Sequence, residues 1–146
     1  LVGSYESDLD PVRLDILDTI NTDPAIEAVG SKSANDLLAY YVASDCFVFP
    51  SYREGFPNTV LEAGAMGLPC IVTDINGSRE IIENNKNGMI IPSKNVDALY
   101  NAMKQMLLNR EQTQQFIANA RPMIEARFEQ GFVRKCLYEF YEEIIN

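Results

Sequence analysis

The sequence contains no histidine and no tryptophan, and no part of it is a long apolar run. Without histidine, a Ser-His-Asp or Cys-His relay is excluded within the chain, and a zinc site is disfavoured. No run approaches the ~20 apolar residues that cross a bilayer, and no signal segment opens the chain. We therefore expect a soluble protein.

Cysteine is scarce. Cys46, Cys70 and Cys136 are odd in number and widely spaced, and they form no C-x-x-C pair. Cys46 and Cys70 fall in apolar, strand-like runs. This pattern favours buried, reduced thiols and a cytoplasmic location.

Positive charge is also scarce, with 12 Lys and Arg against 21 Asp and Glu and a formal net charge of −9. Such a chain has no long-range attraction for nucleic acid or for an anionic membrane surface, so we expect neither as a partner. It also repels a nucleotide diphosphate at long range. Local geometry would have to hold such a ligand.

The composition that is present, 47% apolar and 23% charged over 146 residues, is typical of a single globular domain spanning 1–146. Short apolar runs alternate with amphipathic segments, which predicts an α/β fold whose parallel sheet carries helices on both faces, followed by a helical C-terminus. We expect Gly131 to end a helix. The predicted strands are 1–3, 26–30, 46–50, 70–73 and 89–91, and the predicted helices are 9–20, 35–42, 59–66, 78–82, 96–108, 111–126 and 132–145.

The segment 50–74 leaves the carboxyl end of one predicted strand, enters a helix and returns to the next strand, where ligands bind in open α/β sheets. Asn58 is predicted to cap this helix. Thr59, Val60 and Leu61 would then present backbone N–H groups, and the helix dipole would add positive charge. The arrangement predicts a phosphate site that needs no lysine, although many helix starts bind nothing.

Two glutamates flank this helix start. Glu54 lies in the loop and Glu62 about one turn inside the helix, so both can face one opening. A carboxylate accepts at two oxygens, which suits the paired hydroxyls of a sugar or ribose, and Gly55 lets backbone approach a ligand. The alternative is that Glu54 is solvated and Glu62 only favours the helix dipole.

Three further features of the sequence have a structural interpretation. The small residues at 63–65 and Gly67 predict close packing of the helix on the sheet. Gly77 could bring backbone N–H groups toward a phosphate or sugar, or form a plain turn. Asp8 and Asp10 match a D-x-D pattern but lack a strand end before them, so we interpret them as a cap and surface charge.

The segment 44–82 resembles the C-terminal domain of glycosyltransferase family 4, which comprises retaining enzymes with the GT-B architecture of two Rossmann-like domains. The resemblance rests on Glu54 and Glu62 with seven residues between them, set in E-G-F-x-x-x-x-L-E-A-x-A-x-G-x-P. It implies that Glu54, the catalytic candidate, binds the donor sugar hydroxyls, and that Glu62 binds the ribose. The other implied donor-site residues are Gly55, Phe56, Asn58, Thr59, Val60 and Gly77, with Gly30, Ser31 and Ser33 flanking the base.

The resemblance also implies a nucleotide-diphosphate sugar as donor, most simply a UDP-sugar, with no cofactor and no essential metal. The acceptor domain would lie N-terminal in the same protein, with any contact to the inner membrane made through that domain. Residues 1–3 match the family's second strand, so we expect the first βα unit to be missing and the fragment to be inactive alone. Residues 1–3 would then pair with 46–50, or an open edge would favour association.

Two alternatives remain open at this point. One is half of a sugar-nucleotide epimerase, which the absence of histidine disfavours. The other is a non-catalytic module that binds a nucleotide sugar or a protein partner.

Overall fold

A computed structural model describes residues 1–5 and 11–145. It contains helices α1 (Leu14–Thr22), α2 (Ala34–Ala43), α3 (Asn58–Ala65), α4 (Ser78–Ile81), α5 (Val96–Leu108), α6 (Arg110–Phe128) and α7 (Gln130–Ile145), and strands β1 (Phe47–Phe49), β2 (Cys70–Thr73) and β3 (Gly88–Ile91). The predicted D-x-D pair, Asp8 and Asp10, lies outside the described residues.

The three strands form one parallel sheet in the order β1-β2-β3. In this register Val48 lies opposite Ile71, and Ile71 lies opposite Met89. All four residues of β2 are buried, as expected for a central strand flanked by helices. The α/β prediction is confirmed, as is the helical C-terminus.

The chain divides into two compact units, residues 1–40 and 41–146, and α2 crosses the boundary. In the second unit the core joins the sheet to α5 and α6 and consists of Ile71, Ile91, Ala102, Met106 and Phe116. The expectation of a single donor-binding domain stays a prediction.

In the first unit the predicted strands 1–3 and 26–30 are not formed. Their backbones are nevertheless linked, because the N–H of Gly3 donates to Gly30 (3.0 Å) and the N–H of Val29 donates to Leu1 (3.0 Å). Two such hydrogen bonds do not form the continuous ladder of a β-sheet. Among the described strands β1 pairs only with β2. The expected pairing of 1–3 with 46–50, and its alternative of an open edge that favours association, stay predictions.

Gly131 does not end a helix. It is the second residue of α7, and the break from α6 falls at Glu129, whose backbone is extended (φ −60°, ψ 137°). The Glu129 carboxylate accepts from the N–H of Phe132 at 3.0 Å. Bonds from the N–H groups of Gly131 and Phe132 lower the pKa of this carboxyl, as expected for an acid at a helix start.

The small residues of α3 pack against a helix rather than mainly on the sheet. A Cβ on Gly64 would lie 2.8 Å from Cγ1 of Ile124 in α6, so only glycine allows this approach. Gly67 adopts a left-handed conformation (φ 85°) just after α3, and the N–H of Leu68 closes back on Ala63 at 2.9 Å. This is a Schellman ending, and it sets the length of α3.

All three cysteines are unpaired, but only two are shielded: Cys70 is buried and Cys46 partly so, whereas Cys136 is exposed. Burial raises the pKa of the Cys46 thiol to about 12 and raises that of Cys70 further. The prediction of buried thiols therefore holds for two residues and is wrong for Cys136. None of the described helices is long and apolar enough to span a membrane.

Candidate functional site

Two loops meet at the carboxyl edge of the sheet. Loop 50–57 follows β1, and loop 74–77 follows β2. The Thr73 hydroxyl, at the end of β2, donates to the carbonyl of Ser51 in the first loop. Gly77 (φ 77°) lies so near the same loop that a Cβ there would be 2.3 Å from the carbonyl oxygen of Gly55. Backbone contacts therefore fix the two loops against each other.

The predicted catalytic residue, Glu54, is half-buried in loop 50–57. The Ser51 hydroxyl donates to its Oε1 atom at 2.8 Å. In the part of the chain that the structure describes, no group donates to Oε2. The carboxylate is thus held by one oxygen and can accept from a ligand with the other.

The second glutamate, Glu62, is exposed on α3. The hydroxyl of Tyr41, from α2, donates to its Oε2 atom at 3.1 Å. Burial, and then the neighbouring Glu62 carboxylate, raise the pKa of Tyr41 to about 12, so this hydroxyl remains a donor at neutral pH. Glu62 is therefore held in the same way as Glu54.

The start of α3 differs from the sequence prediction. The N-cap is Pro57 (φ −78°, ψ 102°), and Asn58 is the first helical residue, so the prediction that Asn58 caps the helix is wrong. The Pro57 carbonyl accepts from the N–H groups of Val60 (3.1 Å) and Leu61 (3.4 Å), which are therefore not free donors as expected. Among the described residues, the N–H groups of Asn58 and Thr59 are the first two of the helix and have no protein acceptor.

The surface around these groups is open. Within the described residues of the second unit, cavities of about 610 and 290 Å³ are found, and neither is lined by Glu54 or Glu62. The smaller one borders loop 50–57, because Pro50, Tyr52 and Thr73 line it. The larger one includes Ser44, Asp45, Leu68 and Pro69, which precede β1 and β2, and so lies at the amino ends of these strands. Counting partners among the described residues alone, the carboxyl edge offers two carboxylate oxygens without a donor, which suit hydroxyls, and two N–H groups without an acceptor, which suit an anion.

Comparison with known proteins assigns the family. The sequence model of the glycosyl transferases group 1 family matches residues 15–123, which include both glutamates and both loops. The chain belongs to this family. This match confirms the general part of the resemblance, namely that the chain is a group 1 glycosyltransferase domain of GT-B fold.

Individual relatives agree with this. The glycosyltransferase domain is 44% identical over 69 residues to UDP-Gal:alpha-D-GlcNAc-diphosphoundecaprenol alpha-1,3-galactosyltransferase of Escherichia coli, covering 47% of the chain and 18% of that protein. It is 27% identical over 147 residues to the capsular polysaccharide biosynthesis glycosyltransferase CapM of Staphylococcus aureus, covering 100% of the chain and 38% of that protein. The chain thus spans well under half the length of these relatives.

Solved structures share the fold. Sucrose-phosphate synthase from Thermosynechococcus elongatus superimposes with a TM-score of 0.81 at 25% identity, covering 99% of the chain and 38% of that structure. HepE of Anabaena, solved in complex with UDP, superimposes with a TM-score of 0.85 at 20% identity, covering 98% of the chain and 40% of that structure.

Within the glycosyltransferase domain, Phe56 is fixed from outside its own loop. Its ring lies 5.7 Å from the ring of Phe128, at the end of α6. The guanidinium of Arg127 lies 4.9 Å from the Phe128 ring centre and donates to the carbonyl of Ile81 at 2.5 Å. The position of Phe56 therefore depends on the junction of α4 and α6.

Most of the lysine and arginine side chains near the two loops of the glycosyltransferase domain already contact other residues. Arg79 pairs with Asp74 (3.0 Å) and also donates to the side chain of Asn76 (2.6 Å). The ammonium of Lys94 lies 5.4 Å from the ring centre of Tyr52. Arg53 makes no ion pair with the described residues. The positively charged side chains near the two loops are therefore mostly engaged by other side chains of the protein.

The predicted base-flanking residues belong to the first unit. Gly30 has a left-handed conformation (φ 68°), and Ser31 is exposed. Ser33 caps α2, because its hydroxyl oxygen accepts from the N–H of Asp36 at 3.2 Å and donates to the Asp36 carboxylate at 2.7 Å. Their grouping with Glu54 and Glu62 stays a prediction.

Three residues that contact the predicted site were missed from sequence: Tyr41, Ser51 and Phe128. Ser51 precedes Glu54 by three residues, a spacing typical of local side-chain bonds in turns, and could have been found. Tyr41 and Phe128 come from other elements. No local spacing relates them to Glu62 or Phe56.

Proposed function

We propose that this chain is the donor-binding part of a retaining glycosyltransferase of family 4, which moves a sugar from a nucleotide-diphosphate sugar to a glycan or glycolipid acceptor. The observation that carries the proposal is the paired arrangement of Glu54 and Glu62. Each carboxylate is held at one oxygen by a protein hydroxyl and leaves the other oxygen free. Two such acceptors suit the two hydroxyl-rich ends of a nucleotide sugar.

In the proposed complex, Glu54 accepts from hydroxyls of the transferred sugar, and Glu62 accepts from the ribose. The free N–H groups of Asn58 and Thr59 receive the diphosphate, which is stabilised by the positive end of α3. The backbone of Gly55, Phe56 and Gly77 forms the surface beside it. Val60 supports the site as a fully buried residue under the helix start.

The role of these groups in transfer is to stabilise the departing diphosphate and hold the sugar. As the bond between the anomeric carbon and the diphosphate oxygen breaks, negative charge grows on the diphosphate, and donors already aimed there lower the barrier. Glu54, near the sugar, orients it toward the acceptor hydroxyl. The proposal includes no resident metal and no cofactor.

UDP is the proposed donor nucleotide. The name of the E. coli relative specifies UDP-galactose, and HepE was solved with UDP. The acceptor domain is proposed to lie in the same protein but outside this chain, because the chain spans only 38% of a relative that it matches along its whole length. On this proposal the chain alone does not catalyse transfer, and the protein works in the cytoplasm with any membrane contact made through the other domain.

Calorimetry with the full-length protein tests the proposal. UDP, GDP and ADP are titrated, and UDP is expected to bind most tightly. Glu62→Ala is expected to weaken nucleotide binding, because it removes the ribose acceptor, whereas Glu54→Ala is expected chiefly to slow transfer. If none of the three nucleotides binds, the chain is better explained as an interaction module.

A further inference from the structure

Tyr41 occupies a fixed position beside Glu62. Its side chain is 5% exposed, and its ring lies edge-on to Phe47 of β1, with centres 5.8 Å apart and planes at 83°. Phe47 in turn stacks on Phe49 (5.8 Å, 18°). The sheet therefore determines where the Tyr41 hydroxyl points.

The partner of this hydroxyl is a side chain that would otherwise be mobile. Glu62 is exposed, and a long exposed carboxylate samples several rotamers. Tyr41 donates to its Oε2 atom at 3.1 Å and lies farther, at 3.5 Å, from the carbonyl of Thr59. A carboxylate only accepts, and burial raises the pKa of the Tyr41 phenol, so the hydroxyl is the donor in this contact. This bond selects one rotamer of Glu62 before any ligand arrives.

We propose that Tyr41 is a positioning residue for ribose recognition, holding Oε2 of Glu62 so that Oε1 is aimed to accept from a ribose hydroxyl. This inference rests on the proposed function. It assigns nucleotide affinity to a residue of α2 that lies outside the segment carrying the two glutamates. The alternative is that Tyr41 serves only to fill the space beside Phe47 of β1.

Nucleotides with and without ribose hydroxyls separate the two roles. Calorimetry on the full-length protein compares UDP with 2′,3′-dideoxy-UDP, which keeps the base and diphosphate. Tyr41→Phe retains the ring and removes only the hydroxyl. We expect this variant to bind UDP about fivefold more weakly, the cost of immobilising one free side chain, and to bind dideoxy-UDP as the unsubstituted protein does.

Tyr100→Phe is the matched control, because it removes the same atom from an exposed tyrosine of α5. It is expected to leave the affinity for both nucleotides unchanged. If Tyr41→Phe weakens UDP and dideoxy-UDP equally, Tyr41 has only a packing role and the inference is overturned. If the unsubstituted protein binds no nucleotide, it is the proposed function that is overturned.

A double-mutant cycle tests the contact itself without ligand. Urea unfolding is measured for Tyr41→Phe, for Glu62→Ala, which removes the acceptor, and for the double variant. Because a net hydrogen bond to a charged group exceeds about 1 kcal/mol, we expect the two effects on the folding constant to be coupled by at least about fivefold. Strictly additive effects would show that the hydroxyl does not hold Glu62, and this result overturns the inference even where nucleotides bind.

Discussion

Ser51 connects the two loops of the candidate site to one of its glutamates. Its carbonyl accepts from the Thr73 hydroxyl of β2, and its own hydroxyl donates to Glu54. Thr73 is 2% exposed, so this end of the chain of bonds is anchored in the core. Ser51 thus links the proposed catalytic carboxylate to the rigid sheet through two consecutive hydrogen bonds.

Ser51→Ala is expected to slow sugar transfer about tenfold, because Glu54 loses a charge-assisted bond and samples unproductive rotamers. Steady-state kinetics of the full-length protein measure this as a lower kcat, with the affinity for UDP nearly unchanged. Ser51→Thr keeps the hydroxyl and serves as the control. A kcat that Ser51→Ala leaves unaltered would contradict the positioning of Glu54 by this bond.

At the residue scale, the sequence indicated the two glutamates more readily than the side chains that contact them. Glu54 and Glu62 were recognisable because their spacing around a helix start is local. Ser51 could have been recognised from its spacing to Glu54, but Tyr41 could not, since the bond between Tyr41 and Glu62 joins residues 21 apart in sequence. Asn58 has the residue type of a cap, yet Pro57, one position earlier, has the extended backbone that the cap position requires.

At the element scale, α3 is held at both of its ends. The Pro57 carbonyl accepts the first helical bonds, and at the Schellman ending the N–H groups of Gly67 and Leu68 donate back into the last turn. Between the ends, Gly64 lets Ile124 of α6 come close. The helix that bears Glu62 is therefore fixed along its whole length, and the loop before it is fixed by Gly77.

Gly77→Ala is expected to destabilise the protein by about 2 kcal/mol or more. The left-handed backbone costs a side chain about 1–2 kcal/mol, and the added Cβ would also overlap the Gly55 carbonyl. Gly67→Ala is the matched control, because Gly67 is also left-handed (φ 85°) but has open space around it. Urea unfolding measures both.

Gly67→Ala is expected to lower the free energy of unfolding only by the cost of the left-handed backbone, about 1–2 kcal/mol. Gly77→Ala should also reduce the affinity for UDP, since the Gly55 loop must move. Equal losses of stability in the two variants would contradict the close contact between the loops.

Prediction of the elements succeeded where the apolar pattern is either continuous or clearly helical. The runs at 70–73 and 96–108 coincide with β2 and α5, because a continuous apolar run and a capped amphipathic helix leave few alternatives. Residues 1–3 and 26–30 have strand-like composition, but a strand needs a partner that completes the ladder, and composition does not specify that partner. Gly131 shows the same limit, since a glycine near a break can lie on either side of it.

At the scale of the whole chain, apolar surface is left uncovered. The helix α7 has no buried residue, and Phe132, Leu137, Phe140 and Ile144 on it are each about half exposed. The strand β1 has one paired edge among the described strands. Large exposed apolar faces and open strand edges favour association.

The isolated 146-residue chain is therefore expected to associate in solution. Size-exclusion chromatography with light scattering should give a mass above 16.4 kDa that rises with concentration. Phe140→Glu should shift the distribution toward the monomer, while Tyr100→Glu, at an exposed position of α5, should not. A monomer at every concentration would show that these surfaces do not drive self-association.

The contact between Gly55 and Gly77 has a practical consequence for redesign. Main-chain atoms alone make this contact. Neighbouring side chains can therefore be exchanged without removing the contact between the two loops, among them Tyr52, Arg53, Ile75 and Asn76. A saturation library at these four positions would alter the chemistry of the rim on an unchanged backbone. Selection for new donor sugars is best begun there, with both glycines left intact.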